Sequence, residues 1–337
     1  METPRPMKHF LWAIPLLLPL RVMSAGLDPT ALAQFSEEMR AQDFDPAELS
    51  ILLARAQRLD SVLAAISRPA EYKPWHAYRP IFLTPARIED GRRFWARHEA
   101  ILQTAAERSG VPAEIIVSII GVETGYGSNA GSYRVLDALG TLAFHYPPRA
   151  PFFRSELGQF LLLAREEEVD PLSLKGSYAG AMGIPQFMPS SFRAYAVDFD
   201  GDGKRNIWSS PADAIGSVAN YLQVHGWQAG QPVAFRALES STNAAEVSQT
   251  VDLKRSLAAF AARGVRPDGA AAPEAMAVLL SYEGVAAPEY WLGLQNFYTI
   301  TRYNRSPKYA LAVFQLAEEI RTARVRHAQT AAVEPAR

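Results

Sequence analysis

Along most of the chain apolar residues recur at three- and four-residue intervals, the spacing of one face of a helix. Leu49, Leu52, Leu53, Ala56, Leu59, Leu63 and Ile66 make one such stripe, and this predicts a single helix over it. It follows Asp45-Pro46-Ala47-Glu48, a capping-box sequence with proline at the first helical position. Thr84-Pro85 starts another helix that runs to about Ser109, and Pro112 starts a third through IIVSIIGVE. The third is apolar almost all round, so it belongs inside the protein. Further helices are predicted over Phe152–Glu168, Pro211–His225 and Lys308–Arg326.

From about Gly230 to Leu280 the pattern changes. PVAFRAL, EVSQTVDL and AMAVLLSY each contain β-branched residues and are mixed with Ala-rich helix. This predicts a small lobe with a short sheet, inserted before the last helix returns to the core. No internal repeat is visible. The closing AQTAAVEPAR is expected to be disordered, which places the folded region at 26–325 and a disordered tail at 326–337.

The first 25 residues pattern as an export signal: Arg5 and Lys8, then FLWAIPLLLPL, then the small residues of MSAG. Cleavage after Ser24 and cleavage after Ala25 both fit, and a periplasmic location is expected. The apolar run is short and interrupted by Pro15 and Pro19, which does not suit a membrane span. A buried N-terminal helix is the alternative.

Composition narrows the function. With 337 residues the chain suits about two domains, or one core with inserted lobes. A net charge of −1 argues against a nucleic-acid partner. There is no cysteine, which excludes disulfides, thiolate metal sites and a lipid-bearing cysteine, so no membrane anchor is expected. The six histidines show no HExxH or paired spacing, and Ser155 and Ser177 lack a G-x-S-x-G setting. A monomer is the default expectation.

One carboxylate stands out. In GVETGYGSNAG, residues 121–131, Glu123 closes the apolar helix and is followed by small and polar residues. An acid that donates a proton near neutral pH needs a raised pKa, which burial among apolar groups supplies. Ile116, Ile119, Ile120 and Val122 offer such walls, and Thr124-Gly125-Tyr126-Gly127 would turn the backbone away and leave the acid at an open edge. That suits general acid–base work in a cleft. On local sequence alone, a solvent-facing glutamate at a helix end is the commoner arrangement.

Five blocks in order change that balance: GVETGYG, YRVLDALGTLAFHYPPRAPFF, LKGSYAGAMGIPQFMPSSF, DAIGSVANYLQVHGW and FYTITRYNRSPKYALAV. Together they resemble the lytic murein transglycosylase B family, as a soluble member that is not a lipoprotein. The resemblance implies a mainly α (α+β), lysozyme-like fold: a helical core, a helical lobe and a small β-containing lobe. It implies cleavage of the N-acetylmuramic acid–β-1,4–N-acetylglucosamine bond of peptidoglycan without water, the muramyl 6-hydroxyl attacking to leave a 1,6-anhydro end. Glu123 matches the family's single acid and base. By the same resemblance Ser177 and Gln186 contact the sugar, and Met182 and Phe187 line the cleft. Tyr78, Tyr221 and Tyr303 match cleft tyrosines, and Asn304 a cleft asparagine. Core packing with a bonded hydroxyl is the ordinary alternative for each tyrosine. Ile184-Pro185 stands where the family often carries a second glycine. Peptidoglycan glycan strands are the implied partner, with other cell-wall enzymes as further candidates.

Residues 198–206 read as the start of an EF-hand loop, with Asp198, Asp200 and Asp202 at positions 1, 3 and 5, a glycine at 6 and the Lys204 carbonyl at 7. Position 12 is Ser209 rather than Glu. The family uses an aspartate farther along, which Asp213 matches, in a segment one residue longer here. The expected ligands are Asp198, Asp200, Asp202, the Lys204 carbonyl and Asp213, around a weakly held structural Ca2+ that Na+ can replace. An acidic turn without an ion is the alternative. Two other functions stay open at this point: a hydrolytic muramidase on the same fold, and a calcium-dependent, non-catalytic wall-binding protein.

Overall fold

The computed structural model describes residues 29–67, 73–238 and 246–333; the expected export signal lies outside them. The helical lobe begins with α1 (Pro29–Arg40), α2 (Pro46–Ala54) and α3 (Asp60–Ile66). Asp45 caps α2, its Oδ1 accepting from the N–H of Ala47 at 2.7 Å and of Glu48 at 3.1 Å. The stripe predicted as one helix is therefore two. Between them Gln57 gives its N–H to Asp137 and Leu59 gives its N–H to Thr141, so side chains of a distant helix replace the helical acceptors.

Next come α4 (Trp75–Phe82), α5 (Pro85–Arg97), α6 (Glu99–Ser109) and α7 (Ala113–Thr124). Thr84 caps α5 through its Oγ1, but the predicted long helix breaks at His98, whose φ of −114° and ψ of 25° leave helical geometry. The α7 helix is buried nearly all round, as its composition predicts. Of its buried hydroxyls, Ser118 donates to the Val313 carbonyl at 2.6 Å.

The middle of the chain holds β1 (Tyr133–Arg134), α8 (Val135–His145), α9 (Ala150–Glu166), β2 (Lys175–Gly176), α10 (Pro189–Tyr195) and α11 (Pro211–Val224). The short strands β1 and β2 pair antiparallel, Tyr133 opposite Gly176, which sets the exit of the glutamate turn beside the start of the 177–187 loop.

The β-containing lobe comprises β3 (Ala234–Leu238), β4 (Arg255–Ser256), α12 (Leu257–Ala261), β5 (Arg266–Pro267), β6 (Met276–Tyr282) and β7 (Glu289–Gly293). Its antiparallel sheet has the order β4-β6-β7-β3-β5. EVSQTVDL, expected as a strand, is not one over its residues 246–253; Ser248 makes a single ladder-like bond to the Leu279 carbonyl. Instead β7 completes the sheet beyond the expected boundary of residue 280. Alternation along β6 explains the lobe's position. Ala277 and Leu279 join the lobe's own small cluster, with Leu257, Phe260 and Leu292. Val278, Leu280 and Tyr282 face the main helical core.

Finally α13 (Gln295–Tyr303) leads to α14 (Pro307–Val333), which packs against α4, α5, α7 and α13. The tail expected to be disordered from residue 326 is helical as far as Val333. AQTAAV is rich in good helix formers and simply extends a helix already anchored in the core.

Candidate active site

The buried α7 helix carries the predicted acid, Glu123, one residue before its end. Glu123 is half-buried at its last turn, and Gly125 follows in the left-handed region at φ 57°. There the N–H of Gly125 bonds the Gly121 carbonyl and the N–H of Tyr126 bonds the Ile120 carbonyl, closing the helix end. Thr124 ties this turn to the neighbouring loop. Its hydroxyl donates to the Ile184 carbonyl at 2.9 Å and accepts from the N–H of Gly127 at 2.9 Å. The expected reversal after the acid is present.

Across from the turn, Tyr309 in the first turn of α14 donates its hydroxyl to Glu123 Oε1 at 2.6 Å. Burial, and then the charge of Glu123, push the Tyr309 hydroxyl well above its ordinary pKa. The same two causes act on Tyr303 in the same order. Burial pushes Tyr221 up to about 12. All three phenols are therefore neutral hydrogen-bond donors at physiological pH. Tyr303 donates to the Pro185 carbonyl at 2.5 Å, and Tyr221 donates to the Arg302 carbonyl at 2.5 Å. Ile184 and Pro185 thus offer consecutive carbonyls, one to Thr124 and one to Tyr303.

The 177–187 loop is folded tightly on itself. Ser177 Oγ accepts from the N–H of Ala181 at 3.1 Å, and Met182 and Phe187 exchange backbone bonds of 2.8 and 3.0 Å. A Cβ at Gly176 would stand 2.2 Å from the Ala181 carbonyl oxygen, so only glycine fits this approach. Gln186 is a non-glycine residue at φ 53°, and its own side chain secures it, Nε2 donating to the carbonyls of Gly183 at 2.9 Å and Ala130 at 3.1 Å.

Of the predicted site residues, Glu123, Ser177, Gln186, Tyr303 and Asn304 are part-exposed. Met182, Phe187, Tyr78 and Tyr221, expected at the cleft, are instead buried, at most 8% exposed. Phe187 lies 5.6 Å from the Tyr221 ring and 5.8 Å from the Tyr303 ring, and Tyr221 lies 4.8 Å from Tyr303. Asn304 Oδ1 accepts from the N–H of Ser306 at 3.1 Å, just ahead of α14. Sequence reading missed Tyr309, although it lies in the last of the five blocks, and it missed Thr124 as the bridge to the loop.

In the acidic loop, carboxylate oxygens of Asp198, Asp200 and Asp202 lie within 4.8 Å of one another. Asp198 accepts from the N–H groups of Gly201, Asp202 and Gly203, and Asp202 accepts from that of Lys204 at 2.8 Å. Asp213, expected in the same cluster, is fully buried behind it. Its oxygens accept from the N–H of Phe199 at 2.8 Å and of Asn206 at 2.7 Å. Burial first, and the charge of Asp200 among lesser causes, raises its pKa, while the two N–H groups oppose the rise. A cation held by the three loop acids would suit this concentration of negative charge.

Comparison with known proteins supplies relatives. The family model described as a transglycosylase SLT domain matches residues 28–318. The chain is 46% identical over 318 residues to membrane-bound lytic murein transglycosylase B of Escherichia coli, covering 90% of this chain and 87% of that one. Among solved structures it is similar to soluble lytic transglycosylase SltB1 of Pseudomonas aeruginosa, at 57% identity and a TM-score of 0.82, over 87% of this chain and 99% of that one. It is also similar to the E. coli lytic transglycosylase Slt35 in complex with calcium, at 46% identity and a TM-score of 0.81, over 91% and 98% of the two chains.

Proposed function

The chain belongs to the transglycosylase SLT-domain family and is a lytic transglycosylase of peptidoglycan, and from that premise we propose that Glu123 is its single general acid and base. The observation that carries this reading is the placement of Glu123: half-buried at the end of a buried helix, gripped by the Tyr309 hydroxyl at 2.6 Å. Glu123 protonates the glycosidic oxygen as the bond to the muramyl anomeric carbon breaks. It then takes the proton of the muramyl 6-hydroxyl as that oxygen bonds to the anomeric carbon, leaving a 1,6-anhydro end. The proton returns to Glu123 and no water is consumed. Hydrolytic glycosidases usually need a second carboxylate across the bond, whereas here the substrate supplies the nucleophile. Ser177, Gln186, Tyr303 and Asn304 hold the sugar by hydroxyl and amide groups, while Tyr78, Met182, Phe187 and Tyr221 support them from below.

Asp198, Asp200 and Asp202, with the Lys204 carbonyl, hold a structural Ca2+, or Na+ in its place, while Asp213, expected as a ligand, braces the loop from behind through the N–H groups of Phe199 and Asn206. The clustered loop acids and the calcium complex of the similar Slt35 support this assignment. The ion stiffens the 198–213 loop against α11 and takes no part in proton transfer. Its test is a calcium titration: melting temperature rises at millimolar ion, and no rise overturns the site. The N-terminal pattern supports export to the periplasm. Among the described residues no helix is long and apolar enough to cross a membrane.

Purified peptidoglycan digested by the protein and read by mass spectrometry tests the chemistry. Muropeptides with 1,6-anhydromuramyl ends are expected, and Glu123→Gln lowers their yield about 10³-fold, within the range for loss of a general acid. Reducing ends, heavier by one water, would make the protein a muramidase. Wall binding without products would make it a binding protein.

A further inference from the structure

The end of α14 that presents Tyr309 to Glu123 is fastened by a strand of the β-containing lobe. Tyr282, the last residue of β6, is 3% exposed and donates its hydroxyl to the Pro307 carbonyl at 3.0 Å. Pro307 opens α14 two residues before Tyr309. The Tyr282 ring also lies 5.3 Å from the ring of Trp75, which stacks at 6.3 Å on Tyr78. Trp75 is fully buried and its indole N–H has no hydrogen-bond partner among the described residues, so ring packing sets its position. One residue past Tyr282, the Glu283 carbonyl accepts from the N–H of His76 at 3.0 Å. Lys308 Nζ closes the arrangement by donating to the Lys73 carbonyl at 2.6 Å. The free end of the β6–β7 hairpin therefore grips the first turns of both α4 and α14, the helices that carry Tyr78 and Tyr309.

We propose that Tyr282 is a positioning residue for the transglycosylase reaction: its hydroxyl fixes the first turn of α14, and thereby the bond from Tyr309 to Glu123. A phenylalanine would fill the same space against Trp75, so the hydroxyl has one visible task, the bond to Pro307. A shift of a fraction of an ångström at the start of α14 passes directly to Tyr309, because a helix turn moves as a unit. Proton transfer is sensitive to such displacements. The β-containing lobe is then part of the catalytic apparatus through the contact of Tyr282 with Pro307. This inference rests on the assignment of Glu123 as the acid.

The test is a double-mutant cycle on the full chain, with kcat and KM measured on solubilised glycan strands. Tyr282→Phe lowers kcat about 3- to 10-fold, the effect of one net hydrogen bond, and leaves KM within about twofold. Added to Tyr309→Phe, Tyr282→Phe lowers kcat no further, because the bond it serves is already gone. A residue that only supports the fold would lower the melting temperature and leave kcat of the folded fraction unchanged. Unchanged kcat, or effects that multiply in the double variant, overturn the proposal. So does a Tyr282→Phe protein that does not fold, since the hydroxyl would then serve stability. Activity surviving in Glu123→Gln would instead overturn the acid assignment, and the two failures are told apart by that variant alone.

Discussion

Glu123 is held by Tyr309, 186 residues further along the chain, whereas Asp198 accepts the N–H groups of residues three to five positions away. The same contrast runs through both regions. Around the acid, Thr124 reaches the Ile184 carbonyl across 60 residues and Tyr303 reaches the Pro185 carbonyl across 118. In the acidic loop, Lys204 reaches back two residues to Asp202, and Asp213 takes N–H groups 7 and 14 residues earlier. The carboxylate cluster is shaped mostly by its own turn chemistry, with α11 behind it, while farther along the loop Arg205 pairs with Glu167 and the Ile207 carbonyl accepts from the N–H of Ile184. The turn after Glu123 is closed locally, but the groups around the acid come together only when α7, α13, α14 and the 177–187 loop are packed. Damage to the first should register as stability, and damage to the second as rate.

The sharpest break of that contrast is Tyr309→Phe. It keeps the ring in the core and removes a hydrogen bond to a carboxylate, so kcat falls about 10- to 100-fold. The melting temperature should move by only about 2 °C or less. A large loss of stability with unchanged kcat would show that the bond serves packing and not the acid. On the other side, Asp213→Ala strips two backbone N–H groups of their acceptor. A cost of about 2 kcal/mol, and a fall of about 5 °C in melting temperature, is expected. The kcat of the folded protein stays within about twofold. If kcat collapses as well, loop and acid are coupled and the two plans are one.

The smallest effect concerns pH. Glu156 is buried and accepts from the N–H and hydroxyl of Ser190, just beyond the 177–187 loop. Burial raises its pKa, and the Ser190 bonds only partly offset the rise. The folded protein therefore holds this proton more tightly than the unfolded chain. The stability this confers is full below the ordinary carboxylate pKa and is lost as pH rises through the raised value. Urea melts from about pH 4 to about pH 8 should show wild type losing about 1 kcal/mol or less relative to Glu156→Gln. A difference independent of pH would show that Glu156 titrates alike in both states.

How much could be read without the structure follows the same division. Helix starts that depend on neighbouring residues were legible: Asp45 and Thr84 cap as their sequences predict. The turn after Glu123 was legible because Gly125 and Gly127 permit left-handed backbone. The loop acids were legible because their spacing is their geometry. What failed depended on partners far away. The break between α2 and α3 is made by Asp137 and Thr141, which no local pattern announces. Met182, Phe187 and Tyr78 were placed on the cleft surface, and burial depends on what covers them. Tyr309 was passed over because nothing in KYALAV marks one buried aromatic as the partner of an acid 186 residues earlier. The strand β7 was missed because EYWLG is short and lies next to a helix.

The late position of α14 in the chain has a consequence for when this protein becomes active. A ribosome makes Glu123 and the whole 177–187 loop long before it makes residues 307–309. Contacts of such long separation close after local ones, and chains are built from the N-terminus onward. A chain stopped or cut before Pro307 carries the acid without Tyr309 to hold it and without the helix that packs α4, α5 and α7 together. The contact that holds Glu123 is thereby completed by the most C-terminal of the described helices, and chains released before Pro307 should show no lytic activity on peptidoglycan.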